Sequence, residues 1–309
     1  MQKRMTVVLC GMVLMGIMSG VVSAGETGHY PLGVEGLKAG SLPPPGLYSR
    51  NYLLYYHAGV FRDSQGKNAG LGADIDALVF APRLIWITDQ KILGADYGMD
   101  ALLPIPYQDV ELRNAGPSGM KDNDFCIGDL CVEPIDLGWH GEQWDLGAAY
   151  ALWMPTGKYN RPTASSNHLA NPGKDFWTNM FTFGGTYFFD KERTWHASAL
   201  SRYEIHSRKD HTDVKPGQNI VLEWGVGKTL AKTWDVGVVG YAQWQISDDS
   251  GSDVTWDKGL HDRVAAIGPE VSVFIPPIKS FLSVRALWEF SAVDRPEGTT
   301  VVLTFTKIF

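Results

Sequence analysis

Beyond residue 24 the chain has no long hydrophobic run. A helix that crosses a bilayer needs about 20 consecutive apolar residues, so a helical membrane protein is excluded. Cysteine is scarce, with three in 309 residues, and Cys10 lies inside the first apolar segment. The other two, Cys126 and Cys131, form a C-x4-C pair with no histidine cluster beside it, which makes a poor zinc site. No metal or other cofactor is expected. Positive charge is also in deficit. Without Lys3 and Arg4 of the leading segment, 25 Lys and Arg face 34 Asp and Glu, a net charge of −9. Nucleic-acid binders carry basic patches to meet phosphates, so a nucleic-acid partner is not expected.

The first residues have the pattern of an export signal. Lys3 and Arg4 precede an apolar run from Met5 to Met18, and Val22-Ser23-Ala24 offers small residues where a signal peptidase cleaves. Residues 1–24 are therefore expected to be a cleaved signal peptide. In an exported chain, a closely spaced Cys126–Cys131 pair is a disulfide candidate.

Aromatics are plentiful: 12% of the chain, with eleven Trp, although the mean hydropathy is slightly polar at −0.12. No long helical period accompanies them. Period-two alternation recurs instead, the signature of strands with two unlike faces. Trp234, Val236, Val238, Trp244 and Ile246 oppose Asp235, Tyr241, Gln243 and Gln245; Trp195, Ala197, Ala199 and Tyr203 oppose His196, Arg202, Glu204 and His206. The pattern predicts twelve strands, at Leu47–Phe61, Ala73–Thr88, Ile92–Tyr107, Leu130–Trp139, Gln143–Pro155, Phe176–Asp190, Thr194–Ser207, Asn219–Leu230, Thr233–Ser247, Asp262–Ile275, Ser280–Ala292 and Thr299–Phe309.

The links between them alternate in length. Short ones fall at Asp89-Gln90, His140-Gly141, Lys191–Arg193, Ala231-Lys232 and Pro276-Pro277. Long polar ones fall at Arg62–Gly72, Gln108–Asp129, Thr156–Asp175, Arg208–Gln218, Asp248–His261 and Val293–Gly298. Short turns on one side and long loops on the other mark an outer-membrane barrel. Aromatics gather near both strand ends, Trp86, Trp144, Phe188, Trp195 and Trp234 beside the short turns and Trp153, Trp177, Trp244 and Phe290 near the long loops, as two membrane interfaces would select. The expected fold is all-β: a transmembrane antiparallel β-barrel of about twelve strands over residues 47–309, with short periplasmic turns and long extracellular loops. In hydrocarbon every backbone amide must be paired internally, and a closed sheet has no unpaired edge. Outer-membrane lipid is then the surrounding partner. The alternating C-terminal strand ends on Phe309, which is similar to the signal read by the barrel-assembly machinery of Gram-negative bacteria.

Three passages carry a family resemblance: His29-Tyr30-Pro31-Leu32-Gly33-Val34-Glu35-Gly36, then Pro43-Pro44-Pro45-Gly46-Leu47-Tyr48, then Arg50-Asn51-Tyr52-Leu53-Leu54-Tyr55-Tyr56. With Pro155-Thr156-Gly157-Lys158-Tyr159 they resemble the outer-membrane family named for the meta-cleavage pathway of phenol degradation. That resemblance implies an outer-membrane protein or transporter linked to aromatic catabolism, and a small hydrophobic or aromatic solute as partner. It supplies no catalytic residues.

The Gly- and Pro-rich residues 25–46 precede the first strand and are irregular. They are expected either to fold into the lumen as a plug or to form a periplasmic leader. Lumen-lining candidates are the charged residues on the polar faces: Arg83, Asp96, Asp100, Arg202, Glu204, Glu223, Glu270, Arg285 and Glu289. They would either tune selectivity or brace the barrel through ion pairs. Leu53, Tyr55 and Tyr241 are assigned to the inner face, either as an aromatic path for an apolar solute or as packing. Asp74 and Asp76 share one face, where a solvated pair is the plainer reading than a cation site. Gly225–Thr229 ends like a phosphate loop but lacks its spacing and helix, so nucleotide binding is rejected. The leading function is a passive outer-membrane channel for small hydrophobic or aromatic compounds. The alternatives are a structural or surface-interaction barrel with a closed lumen, or a lipid-modifying enzyme built around His196 and Ser198.

Overall fold

The computed structural model describes residues 27–160 and 168–309; the expected signal peptide, residues 1–24, lies outside them. No described helix is long and apolar enough to cross a membrane. The strands are β1 Gly46–Arg62, β2 Ala73–Ile92, β3 Ala95–Leu102, β4 Ile105–Leu112, β5 Met120–Phe125, β6 Leu130–His140, β7 Trp144–Met154, β8 Thr178–Phe188, β9 Trp195–His206, β10 Asn219–Leu230, β11 Trp234–Gln245, β12 Arg263–Ile275, β13 Ser280–Val293 and β14 Arg295–Ile308.

These fourteen segments make twelve barrel strands. β3 and β4 both pair with β2, one after the other along its length, Arg83 opposite Leu102 and Phe80 opposite Ile105, so they are two halves of a strand interrupted at Leu103-Pro104. β5 and β6 likewise follow that broken strand in turn, β5 along β4 and β6 along β3. All pairs are antiparallel, and β1 pairs with both β2 and β14, so the sheet closes on itself. Tyr52 stands between Ala81 on one side and Thr304 on the other.

The two faces separate as bilayer physics demands. Large apolar side chains left open to the surroundings include Leu84, Phe183, Val226, Val238, Val284 and Leu303. Their strand neighbours point inward and are buried and often charged, among them Arg202, Glu204, Glu223, Glu270 and Arg285. Trp86, Trp144, Trp195 and Trp234 are exposed near the short turns, and Trp177, Trp244 and Phe290 near the long loops. Two rings expected in these belts turn inward instead. Phe188 is buried beneath the Arg193 guanidinium, 3.8 Å from its ring centre, and Trp153 stacks on His29.

Several boundaries move. The turn expected at Asp89-Gln90 falls at Leu93-Gly94, where both residues have positive φ, the geometry of a tight hairpin. β2 reaches Ile92 because an irregularity between Ile87 and Lys91 absorbs extra residues. The loop expected at Val293–Gly298 shrinks to Asp294, whose φ is 53°. Leu53 and Tyr55, assigned to the lumen, face outward and are 42% and 45% exposed; Tyr52, Leu54 and Tyr56 face inward.

The expected Cys126–Cys131 disulfide is not formed, and both thiols are free. The Cys126 N–H donates to the Pro106 carbonyl and the Gly128 N–H to that of Pro104. This stretch therefore runs extended along its neighbour. Five extended residues span roughly 16 Å, whereas a disulfide needs Cα atoms within about 7 Å.

Candidate functional site: the barrel interior

Residues 27–45 run along the inside of the barrel. The chain enters from Gly46, on the short-turn side, and Ser41 donates to Asp145 Oδ2 at 2.7 Å. Lys38 Nζ reaches Asp235 (2.7 Å) and Thr229 (3.1 Å), at the same end of β10 and β11. Further in, the Leu37 N–H donates to Glu270 (2.9 Å). At the opposite end His29 meets Thr178 (2.6 Å) and Asp129 (2.8 Å), beside the long loops. The segment thus follows β10 from one end to the other.

Glycine makes this passage possible at two points. Gly40 lies against the Gly185 backbone, where a Cβ atom would stand 2.4 Å away. Gly33 has φ +81°, a conformation disfavoured for side-chain-bearing residues, and packs on Leu287 and Tyr241.

Charged wall residues hold the segment mainly by its backbone. Glu204 Oε1 accepts the N–H groups of His29 and Tyr30, both at 3.0 Å. Glu223 accepts the N–H groups of Gly33 (3.0 Å) and Glu35 (3.2 Å) and the Tyr30 hydroxyl (2.6 Å). Arg285 donates to the carbonyls of Gly33 and Val34. Arg202 bonds Glu223 at 2.5 Å and covers the Tyr30 ring at 4.0 Å. Irregular backbone in a barrel needs such partners, because buried amides and carbonyls are costly to leave unpaired.

Seven of the nine candidates belong to this interior network or its borders. Arg83 bonds Asp100 (2.5 Å), Glu133 (3.2 Å) and Glu35 (3.3 Å). Arg202 and Glu223 form one pair, and Glu270 and Arg285 another at 3.2 Å. Among the described contacts of these seven, Glu204 accepts only backbone N–H groups. Two candidates sit elsewhere. Asp96 pairs with Lys91 near the Leu93-Gly94 turn. Glu289 takes the hydroxyls of Tyr56 (2.9 Å) and Tyr241 (2.7 Å) and the Gly298 N–H.

Sequence reasoning missed the other half of the network, which lies on the segment itself: His29, Tyr30, Glu35, Lys38 and Ser41. Glu35 is buried and binds Arg50 at 3.0 Å as well as Arg83. Asp129, between β5 and β6, also escaped notice. Burial pushes its carboxyl up, but hydrogen bonds from His29 and from the N–H groups of Gly157 and Lys174 outweigh this and hold it below the usual range.

His196 and Ser198 do share the inner face. His196 Nε2 stands 3.7 Å from Asp235, but the Ser198 hydroxyl has no hydrogen-bond partner among the described residues. A nucleophile and its base need a direct hydrogen bond, and this pair does not make one.

Two spaces flank the segment. A small one of about 90 Å³ lies on the short-turn side, between Gly40–Pro43 and the wall at Arg50, Arg83 and Arg202. A larger one of about 630 Å³ opens on the long-loop side, its floor formed by residues 27–32. Tyr56, Tyr241, Leu54 and Val221 line it, with Leu169 and Lys174 from the loop between β7 and β8.

Comparison with known proteins agrees with this architecture. The family described as "Putative MetA-pathway of phenol degradation" matches residues 58–305. No curated protein matches. Among solved structures, an outer membrane channel from Pseudomonas putida F1 aligns with a TM-score of 0.74 at 14% identity, over 92% of this chain and 99% of that one. The translocator domain of the autotransporter NalP from Neisseria meningitidis aligns at 0.48, with 10% identity over 98% and 95% of the two chains. The CymD monoaromatic hydrocarbon channel aligns at 0.42, with 9% identity over 86% and 89%. The first of these shares the fold; the other two are too distant to argue from.

Proposed function

The chain belongs to the phenol-degradation MetA-pathway family, and from that premise we propose that it is an outer-membrane channel of a Gram-negative bacterium that admits small hydrophobic or aromatic compounds by passive diffusion. The observation that carries this reading is the cavity of about 630 Å³ seated on residues 27–32. It has the size of a small-molecule site and opens among the long loops. The onward path is taken up by the segment 27–45, which acts as a plug. A solute enters between the loops, the plug yields, and the solute leaves toward the periplasm. The plug can yield because many of the bonds that hold it are hydrogen bonds to wall carboxylates, each replaceable by water. The barrel exterior meets outer-membrane lipid, and Phe309, exposed at the end of the last strand, is offered to the barrel-assembly machinery.

The test is conductance in a planar bilayer, with the full chain beside a form lacking Glu26–Leu42. A higher single-channel conductance in the shortened form supports both channel and plug. Equal conductance rejects the plug. Silence from both rejects the channel and leaves a structural barrel.

A further inference from the structure

The wall beneath the inner end of the segment is poorly satisfied. Thr186, Ser198 and His196 project inward from β8 and β9, and each is more than nine-tenths buried. Thr186 and Ser198 stand at directly opposed positions of the two strands. Neither hydroxyl has a hydrogen-bond partner among the described residues, and neither ring nitrogen of His196 has one. His196 Nε2 is 3.7 Å from Asp235 Oδ1, beyond hydrogen-bond reach, and Lys38 already donates to that oxygen at 2.7 Å. Four buried polar atoms thus lie unpaired in one patch, where native proteins leave few.

The turn of the segment at Lys38–Ser41 spans this patch. Leu37 packs against Gly227 on one side of it and Gly40 against Gly185. On the other side Ser41 bonds Asp145, the β7 partner of Thr186. The Ser41 N–H closes the turn on the Lys38 carbonyl at 3.0 Å, and Lys38 is held at φ 60°, a conformation costly for a residue with a side chain. The outer end has no such deficit. Thr178 lies on the same face of β8 and is wholly buried, yet its hydroxyl meets His29 at 2.6 Å and His206 at 2.7 Å. The amides of His29, Tyr30, Gly33 and Glu35 each reach a buried carboxylate.

We propose that the Lys38–Ser41 turn is the moving part of the plug: it lifts from Thr186, Ser198 and His196 and lets water reach them, while residues 27–35 stay bound to Glu204 and Glu223. The inference rests on the plug of the uptake reading and adds which part of it yields, and why. Closed, the turn keeps water from four polar atoms. Open, those atoms are hydrated and Lys38 leaves its left-handed conformation. These gains offset the loss of the bonds from Lys38 to Asp235 and from Ser41 to Asp145. The small cavity bounded by Gly40–Pro43, Arg50, Arg83 and Arg202 then joins the periplasmic mouth.

The test replaces the unpaired hydroxyls with apolar groups of similar shape, Thr186→Val with Ser198→Ala, in the full-length protein in micelles. Hydration then no longer rewards opening, and the closed turn is favoured. Hydrogen exchange at the Ser41 amide is expected to slow by about tenfold or more, with the His29 and Tyr30 amides unchanged. Thr178→Val removes a hydroxyl that is paired, and is expected to hasten exchange at His29 and Tyr30 instead. Unchanged or faster exchange at Ser41 in the double variant overturns the inference. Equal slowing at all three amides also overturns it, since that is a general gain in barrel stability. If the double variant does not fold, Ser198→Ala alone should slow Ser41 by about threefold, and no slowing there is equally decisive. In planar bilayers the double variant should open less often than wild type. Silence from the wild-type protein defeats the uptake reading itself, whereas the exchange result decides the moving turn.

Discussion

Gly40 passes Gly185 so closely that no side chain fits between them: a Cβ atom on Gly40 would lie 2.4 Å from the Gly185 backbone. The neighbour is main chain in β8, hydrogen-bonded on both sides and unable to swing away. Gly40→Val is therefore expected to unseat this end of the segment, with overpacking that costs about 1–3 kcal/mol. The barrel strands should be untouched. The expected result is unchanged β-sheet circular dichroism with faster proteolysis between residues 27 and 45 and more frequent conducting events. Wild-type protease resistance in Gly40→Val would mean that the segment does not rest there.

The Arg202–Glu223 pair joins the wall to the segment. Both residues are buried, and Glu223 also holds Tyr30, Gly33 and Glu35. Glu223→Ala leaves the Arg202 charge buried and alone, which costs about 3–5 kcal/mol. Replacing both partners with apolar residues of similar volume, Arg202→Met with Glu223→Leu, removes the stranded charge and should recover much of that loss. Unfolding in detergent checks it: the single variant should melt well below the double. If the single variant matches wild type, the pair does not brace the barrel.

How far the sequence foretells this depends on where each residue sits relative to the bilayer. Asn219–Leu230 was predicted with the ends it has, because one of its faces turns outward and the other into the polar lumen, and alternation is strong. Met120–Phe125 was hidden in a loop. Its Lys121, Asp122, Asn123 and Asp124 are polar on both faces, and β5 pairs only with β4, so no lipid face imposes a period of two. Pro104 has no N–H to give, and β3 and β4 part beside it. Leu53 and Tyr55 were put on the wrong face because β1 is apolar on both: outside they are exposed, and inside Tyr52 and Leu54 pack in a core that includes Tyr30 and Val34 of the segment. The carboxylates of the interior were visible as polar positions, but their partners were not. Glu204 meets His29 across 175 residues of chain, and the segment has no periodicity to betray its contacts.

The outer wall makes its own prediction. Val238 lies midway along β11 and is exposed, whereas Val239 beside it is buried in the lumen. An arginine facing lipid near the midplane costs about 2–4 kcal/mol, and close to zero to one near an interface. Val238→Arg should thus lower the stability of the barrel folded into liposomes by that larger amount, and Trp234→Arg, at the strand end, by much less. Equal losses at the two sites would contradict a bilayer centred on these strands.

Asp129 sets a pH limit on the outer end of the segment. Hydrogen bonds from His29, Gly157 and Lys174 hold its carboxyl below the ordinary value, which is about 3.9 for an unperturbed Asp. A carboxyl depressed in the folded state stabilises that state above the unfolded value, and the contribution disappears as pH falls through the folded one. Between pH 5 and 8 this carboxylate stays charged, and its grip on the backbone N–H groups of Gly157 and Lys174 should be constant. In acid below the ordinary carboxyl value, protonation removes the acceptor and the grip loosens. Hydrogen exchange at the Gly157 and Lys174 amides, corrected for the intrinsic pH dependence of exchange, should show steady protection across the neutral range and a fall only in acid. In Asp129→Asn the same two amides should be weakly protected at every pH, because the amide oxygen is a poorer acceptor than a carboxylate. Full protection in that variant would mean that the loop closes without Asp129.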